Sequence, residues 1–165
     1  MLKIEGRTKG ADYVQVVTQC YREAIESVND RSFSREKVVE WKREMEKVYN
    51  RGFWEGYYLG RKLGEWTRHP GSAATEKKIY IGKGTKYYPK ISVGEFMLEA
   101  GSLKAGDTLM VIGPKCGMVK EKVTNLIING VTGNEAVKGD KITFPFATKI
   151  TPADKLYKIV GTSHA

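Results

Sequence analysis

The chain has 165 residues, 41% of them hydrophobic, enough for one domain or two small ones with a soluble core. No apolar run approaches the roughly 20 residues that span a bilayer, and Lys3, Glu5 and Arg7 interrupt any apolar stretch of a leader, so the sequence predicts a cytoplasmic protein with no membrane contact. The formal charge of +9 is uneven: residues 1–70 carry 14 Lys/Arg against 11 Asp/Glu, and residues 71–165 carry 14 against 8, which turns the second part toward polyanionic partners such as RNA.

Residues 2–7 alternate Leu2 and Ile4 with Lys3 and Glu5, and Gly6 permits a turn. This spacing predicts a β-strand feeding a helix. Such a strand needs neighbours, which predicts that it is the last piece of a larger βα array whose other strands lie outside this sequence. From Ala11 to Val28, Tyr13, Val14, Val17, Cys20, Tyr21, Ala24, Ile25 and Val28 follow helical spacing along one face. Asn29 and Asp30 break that helix. Ser34 is placed to cap a second one, with Glu36 in its first turn and Val38, Trp41, Met45 and Val48 along one side.

Residues 49–61 hold the densest group of aromatics and glycines, with Gly52, Gly56 and Gly60 four residues apart. The rings of Phe53, Trp54, Tyr57 and Tyr58 suit either burial against a domain or stacking on nucleic-acid bases, and Arg51 adds a cation beside them. The small and helix-breaking residues from His69 to Thr75 read as a linker, which divides the chain into a segment 1–70 and a second domain 77–160.

Beyond the linker the period changes to two. Ile79 and Ile81; Val93 with Phe96 and Leu98; Leu109 to Ile112; Val119 and Val123 with Leu126 and Ile128; Ile142 to Phe146; and Leu156 to Val160 predict about six short strands, hence an α+β chain ending in a small six-stranded antiparallel β-barrel. Three strands are entered through similar turns ending in Asp107, Asp140 and Asp154. A carboxylate there can accept backbone N–H groups of the tight turn, so the three aspartates read as structural.

Chemistry-bearing residues are few. Cys20 falls on a helix stripe, Cys116 stands alone, and His69 and His164 lack acidic or cysteine neighbours at ligand spacing, so the sequence predicts no metal and no other cofactor held by this chain alone. Residues 77–90 contain five lysines and no acid. Lys77, Lys78, Lys83, Lys86 and Lys90 can pair with phosphates, Tyr87 and Tyr88 can stack on bases, and Arg51 extends the set of candidate nucleic-acid-binding residues. The competing reading is a first barrel strand with solvated lysines and buried tyrosines.

Two resemblances follow from these motifs. Ser102–Asp107, Gly113-Pro114, Glu135–Asp140 and Asp154–Lys158 make the β region similar to domain two of translation elongation factor Tu and to the short translation elongation factor-like proteins. Residues 2–7, Tyr13-Val14, Tyr21–Ile25, Val48–Phe53 and Gly56–Gly60, in that order, resemble the collagenase-like proteins of peptidase family U32. That resemblance implies the C-terminal part of a longer architecture: the end of a TIM-like barrel, a helical pair, then a small β-barrel. It implies a lineage of peptidases and of proteins implicated in hydroxylating tRNA or ribosomal RNA and in quinone biosynthesis, several with iron–sulfur cysteines that neither Cys20 nor Cys116 matches. Glu5 and Arg7 would then stand at the carboxyl end of the last barrel strand, where barrel active sites are built, as candidate catalytic residues of a site not complete in this chain. The expected role is substrate recognition or RNA binding without catalysis by the chain alone. The alternatives are a subunit that completes a separately encoded TIM-like barrel chain, restoring a peptidase or RNA-hydroxylating enzyme, and a translation factor-like binding domain.

Overall fold

The computed structural model describes residues 3–53 and 71–162. The chain is α+β and divides into two compact units, residues 1–77 with 161–165, and residues 78–160.

In the first unit the helices are α1 (Ala11–Asn29) and α2 (Arg35–Lys47). The Ser34 hydroxyl caps α2 by accepting the Lys37 amide at 3.3 Å, as its sequence position predicts. α1 stops where Ser27, buried, turns its carbonyl to the amides of Ser32 and Phe33 at 2.8 and 3.0 Å. The two helices meet along Val17 and Cys20. Trp41 Nε1 donates to Glu23 Oε2 at 3.0 Å, and the Cys20 thiol donates to the Trp41 carbonyl at 3.8 Å. On the other side α1 leaves Val14, Tyr21, Ile25 and Val28 exposed, at seven-, four- and three-residue steps along one stripe.

The strand expected at residues 2–7 is not formed over the described residues 3–6. An extended segment becomes a strand only by pairing its amides and carbonyls with a neighbour. Here the Gly6 carbonyl instead accepts the Lys9 amide at 2.9 Å, closing a turn that leads into α1.

The second unit is antiparallel sheet. Its long strand β1 (Glu76–Tyr88) begins at the boundary and is followed by β2 (Val93–Leu98), β3 (Ser102–Lys104), β4 (Thr108–Gly113), β5 (Gly117–Lys122), β6 (Ile127–Ile128), β7 (Val131–Thr132), β8 (Glu135–Val137), β9 (Lys141–Pro145) and β10 (Lys155–Gly161). Eight strands form one sheet in the order β5-β4-β10-β1-β2-β9-β6-β7, and β3 pairs with β8 separately. Ten strands therefore stand among the described residues where about six were expected, eight of them in one continuous sheet that runs from β5 to β7. The additional strands β3, β6, β7 and β8 are two or three residues long, too short to show a period of two.

Phe96, Leu98, Leu103, Leu109, Val111, Ile142 and Leu156 are almost fully buried in one cluster. Phe96 and Phe144 stack at 5.0 Å between centroids, and Phe146 stands edge-on to both. The three strand-entry turns are built alike: Asp107, Asp140 and Asp154 each accept, through Oδ2, the amide three residues earlier, from Lys104, Val137 and Thr151 at 2.7, 2.8 and 2.6 Å. Gly106 and Gly139, at φ of 93° and 97°, supply the left-handed residue in the first two.

The register of β1 against β2 shifts between Gly84 and Lys86, a β-bulge at Thr85. Before it, Lys83 pairs with Met97; after it, Lys86 pairs with Glu95, Tyr87 with Gly94 and Tyr88 with Val93. In β2 the residues Gly94, Phe96 and Leu98 are buried and Val93, Glu95 and Met97 face outward. The bulge thus inverts the alternation of β1, moving Lys86 and Tyr88 to the outer face with Lys83 and turning Tyr87 inward.

Candidate functional surfaces

The predicted nucleic-acid-binding residues fall in both units. Arg51 and Lys77 belong to the first; Lys78, Lys83, Lys86, Tyr87, Tyr88 and Lys90 belong to the second. Within the second unit the bulge sorts them. Tyr87 packs against the core and donates its hydroxyl to the Ala147 carbonyl at 3.1 Å. Tyr88 stays on the outer face, its hydroxyl donated to Glu95 Oε2 at 3.1 Å, with the Lys86 ammonium 4.9 Å from its ring centroid. Lys83 pairs with Glu99 at 2.8 Å, and Glu99 also accepts the Tyr80 hydroxyl at 2.5 Å. Lys78 lies 5.9 Å from the ring centroid of Tyr157, and Lys90 is exposed in the turn after β1.

Lys141, which sequence reading passed over, joins this face because β9 pairs it with Met97. Its position within a strand of mixed character carried no signal; only the register shows it. A groove of about 580 Å³ runs across the same face, with Tyr88, Ile91, Val93, Glu95, Asn129 and Lys141 on its walls. The carboxyl of Glu95 is held below its ordinary pKa, first by the Thr85 hydroxyl, which donates to Oε1 at 2.7 Å, then by Tyr88 and the nearby Lys141 and Lys86. Glu95 therefore remains an anion that orders Tyr88 and tempers the cations around it.

In the first unit, a pocket of about 390 Å³ is lined by Glu5, Lys9, Tyr13, Tyr49, Arg51 and Phe53, among others. Asn50 builds its rim: Nδ2 donates to the carbonyls of Glu46 at 3.2 Å and Val48 at 2.9 Å, while Oδ1 accepts the Gly52 amide at 3.1 Å. Gly52, at φ 89°, makes the turn that presents Phe53. Arg51 Nε donates to the Tyr49 hydroxyl at 2.9 Å, and the Lys9 ammonium sits 3.3 Å from the Tyr49 ring centroid. The two cations, Arg51 foremost, hold the Tyr49 phenol below its ordinary pKa.

Of the two candidate catalytic residues, Glu5 lines this pocket. Its Oε1 accepts the backbone amide of Arg7 at 3.3 Å, and the Arg7 side chain is exposed. Trp54, Gly56, Tyr57, Tyr58 and Gly60, expected to pack or to stack on bases, lie outside the described residues, as do His69 and His164. Among the described residues no three of His, Cys, Asp and Glu converge to hold a metal ion, and no helix is long and apolar enough to cross a membrane.

Residues 1–68 match the model of peptidase family U32. A collagenase of Porphyromonas gingivalis is 44% identical over 158 residues, covering 96% of this chain and 38% of the relative; an uncharacterized protease of Methanocaldococcus jannaschii is 37% identical over 163 residues, covering 97% and 40%. A solved C-terminal domain of a Geobacillus thermoleovorans U32 peptidase aligns at 15% identity and a TM-score of 0.45, over 48% of this chain and 90% of that one. The chain spans about two fifths of the length of the relatives it matches in sequence. Residues 1–68 are thus similar to peptidase family U32, and nearly the whole chain is similar to part of these longer relatives.

Proposed function

We propose that this chain is the C-terminal part of a U32-family protein and that it recognises substrate without catalysing a reaction alone, by binding unpaired RNA on the outer face of β1, β2 and β9. The observation that carries this reading is the bulge at Thr85, which gathers Lys83, Lys86 and Tyr88 on one face that the register extends to Lys141. Lysines there neutralise phosphates, and Tyr88 offers a ring on which a base can stack for roughly 1–3 kcal/mol. Glu95 and Glu99 keep the face from being uniformly basic, so binding should be moderate and salt-sensitive. Residues 78–160 contain 13 Lys against 7 Asp/Glu, which supplies long-range attraction for a polyanion.

The collagenase name of a relative makes a peptide the competing ligand. Fluorescence anisotropy of the full chain with labelled unpaired tRNA or ribosomal RNA fragments, and in parallel with a Gly-Pro-rich peptide, separates the two. RNA binding that weakens as salt rises is expected; peptide binding with no RNA binding at low salt overturns the reading.

A second reading rests on the exposed stripe of α1. Val14, Tyr21, Ile25 and Val28 form the face that a helix buries against a sheet, and a TIM-like barrel, in the same polypeptide or separately encoded, would cover it. Hydrogen exchange of α1 amides should then slow when that barrel is supplied, and unchanged exchange counts against it.

A further inference from the structure

The pocket of the first unit has a chemistry that the RNA-binding face does not share. Lys9 and Arg51 meet on the same side chain, Tyr49, a neutral phenol, so neither charge is cancelled there. Among the described residues Lys3 adds a third cation to the lining, against one carboxylate, that of Glu5. Asn50 and Gly52 also line it, and the remaining wall is apolar and aromatic: Ile4, Tyr13, Val17, Tyr21, Met45 and Phe53. Its volume of about 390 Å³ falls in the range that encloses a small ligand. The cations attract an anion, and the apolar and aromatic side chains suit a flat apolar body.

We infer that this pocket binds a nucleotide through its phosphate, with Lys9 and Arg51 on the phosphate oxygens and the aromatic wall against the base. Arg51 uses Nε on Tyr49, which orients its guanidinium, and the edge formed by its two terminal nitrogens is suited to a bidentate contact with two oxygens. Lys9 supplies a point charge from the turn just before α1, tied by its own amide to the Gly6 carbonyl. Phe53 is 47% exposed, more surface than a packed aromatic leaves open, and a stacked base would cover it. The depressed pKa of Tyr49 agrees with positive potential at the same point. Arg51 was grouped with the lysines of the basic segment in the sequence; the fold instead joins it to Lys9 and Tyr49, in a separate unit.

The phosphate can belong to a free nucleoside monophosphate or to the 5′-terminal nucleotide of an RNA. Calorimetric titration of the full chain with adenosine monophosphate, adenosine and inorganic phosphate tests the shared chemistry, and a 5′-phosphorylated oligoribonucleotide against its 5′-hydroxyl form tests the source. The monophosphate should bind at least tenfold more tightly than adenosine or inorganic phosphate. Lys9→Met and Arg51→Met should each weaken it about tenfold, and Lys9→Arg should largely retain it, all with unchanged thermal midpoints because these side chains cap no helix and fill no core. If the terminal nucleotide is the ligand, the 5′-phosphate should strengthen oligonucleotide binding by a similar factor. No preference for phosphate in either pair, or full affinity in both Met variants, overturns the inference. Lys83 and Lys86 variants should leave monophosphate binding unchanged, so failure of this pocket and failure of the RNA-binding face give different results.

Discussion

The two units of this chain are stabilised by different means. Residues 78–160 enclose a continuous cluster of buried side chains, from Ile81 to Leu156, closed by short strands and three similar aspartate turns. In residues 3–53 the buried apolar side chains are Val17, Cys20 and Val48, and a full stripe of α1 faces outward. A helical pair with one buried seam and one open stripe would gain stability from a surface that covered the stripe, whereas the sheet carries its own core. The difference teaches where each kind of function can sit: a surface that must stay presented to a large ligand belongs on the self-sufficient unit, and a docking face belongs on the other.

The largest way to break this contrast is in the sheet. Phe96→Ala removes a fully buried ring stacked on Phe144, and should cost ~3–5 kcal/mol in urea unfolding followed by a probe of the sheet. Gly82→Ala comes next, because its Cβ would stand 2.1 Å from the backbone oxygen of Met97 and push β1 from β2; a loss of about 1–3 kcal/mol is expected in the same measurement. In the helical unit the clearest single handle is smaller. Ser34→Ala deletes the cap of α2 and should cost ~1 kcal/mol, read as lost helicity at elevated temperature while the sheet signal holds.

The smallest expected effect is electrostatic and has a sign. The Glu99 carboxylate accepts the Tyr80 hydroxyl and pushes its pKa from 10.0 up to about 12. The protonated phenol is favoured by folding, so its contribution is complete below pH 10 and disappears as pH rises through about 12. Glu99 itself is held low by Lys83 and Tyr80, so its share is present above the ordinary carboxylate pKa and is lost as pH falls through its depressed value. Glu99→Gln should return the Tyr80 ultraviolet titration toward 10 and flatten both limbs of the stability profile.

Much of the fold was legible because its signals are local. The stripe of α1, the Ser34 cap and the Gly-Asp turns each depend on residues within one turn or four positions, and the structure forms them where the sequence puts them. What was not legible depends on pairing. The period-two pattern of β1 assigns Tyr87 and Lys83 to one face; the bulge at Thr85 reverses that, and nothing local to residues 83–88 marks it beyond Gly82 and Gly84 on the strand. Residues 3–6 alternate like a strand yet end in a turn, because alternation states a preference and pairing decides it. The first-unit pocket was hidden for a related reason. Lys9, Tyr13, Tyr49 and Arg51 come from three separate stretches, and Tyr13 and Tyr21 carried a helical spacing already explained by packing.

The central claim is that the bulged face of β1 binds RNA, and the salt dependence of binding to unpaired RNA by the wild-type chain and by Lys83→Gln/Lys86→Gln tests it most directly. The account predicts weaker binding by the variant and a slope of log affinity against log salt that is shallower by about 0.7 for each lysine removed. Equal affinity and an equal slope for the two proteins would contradict it.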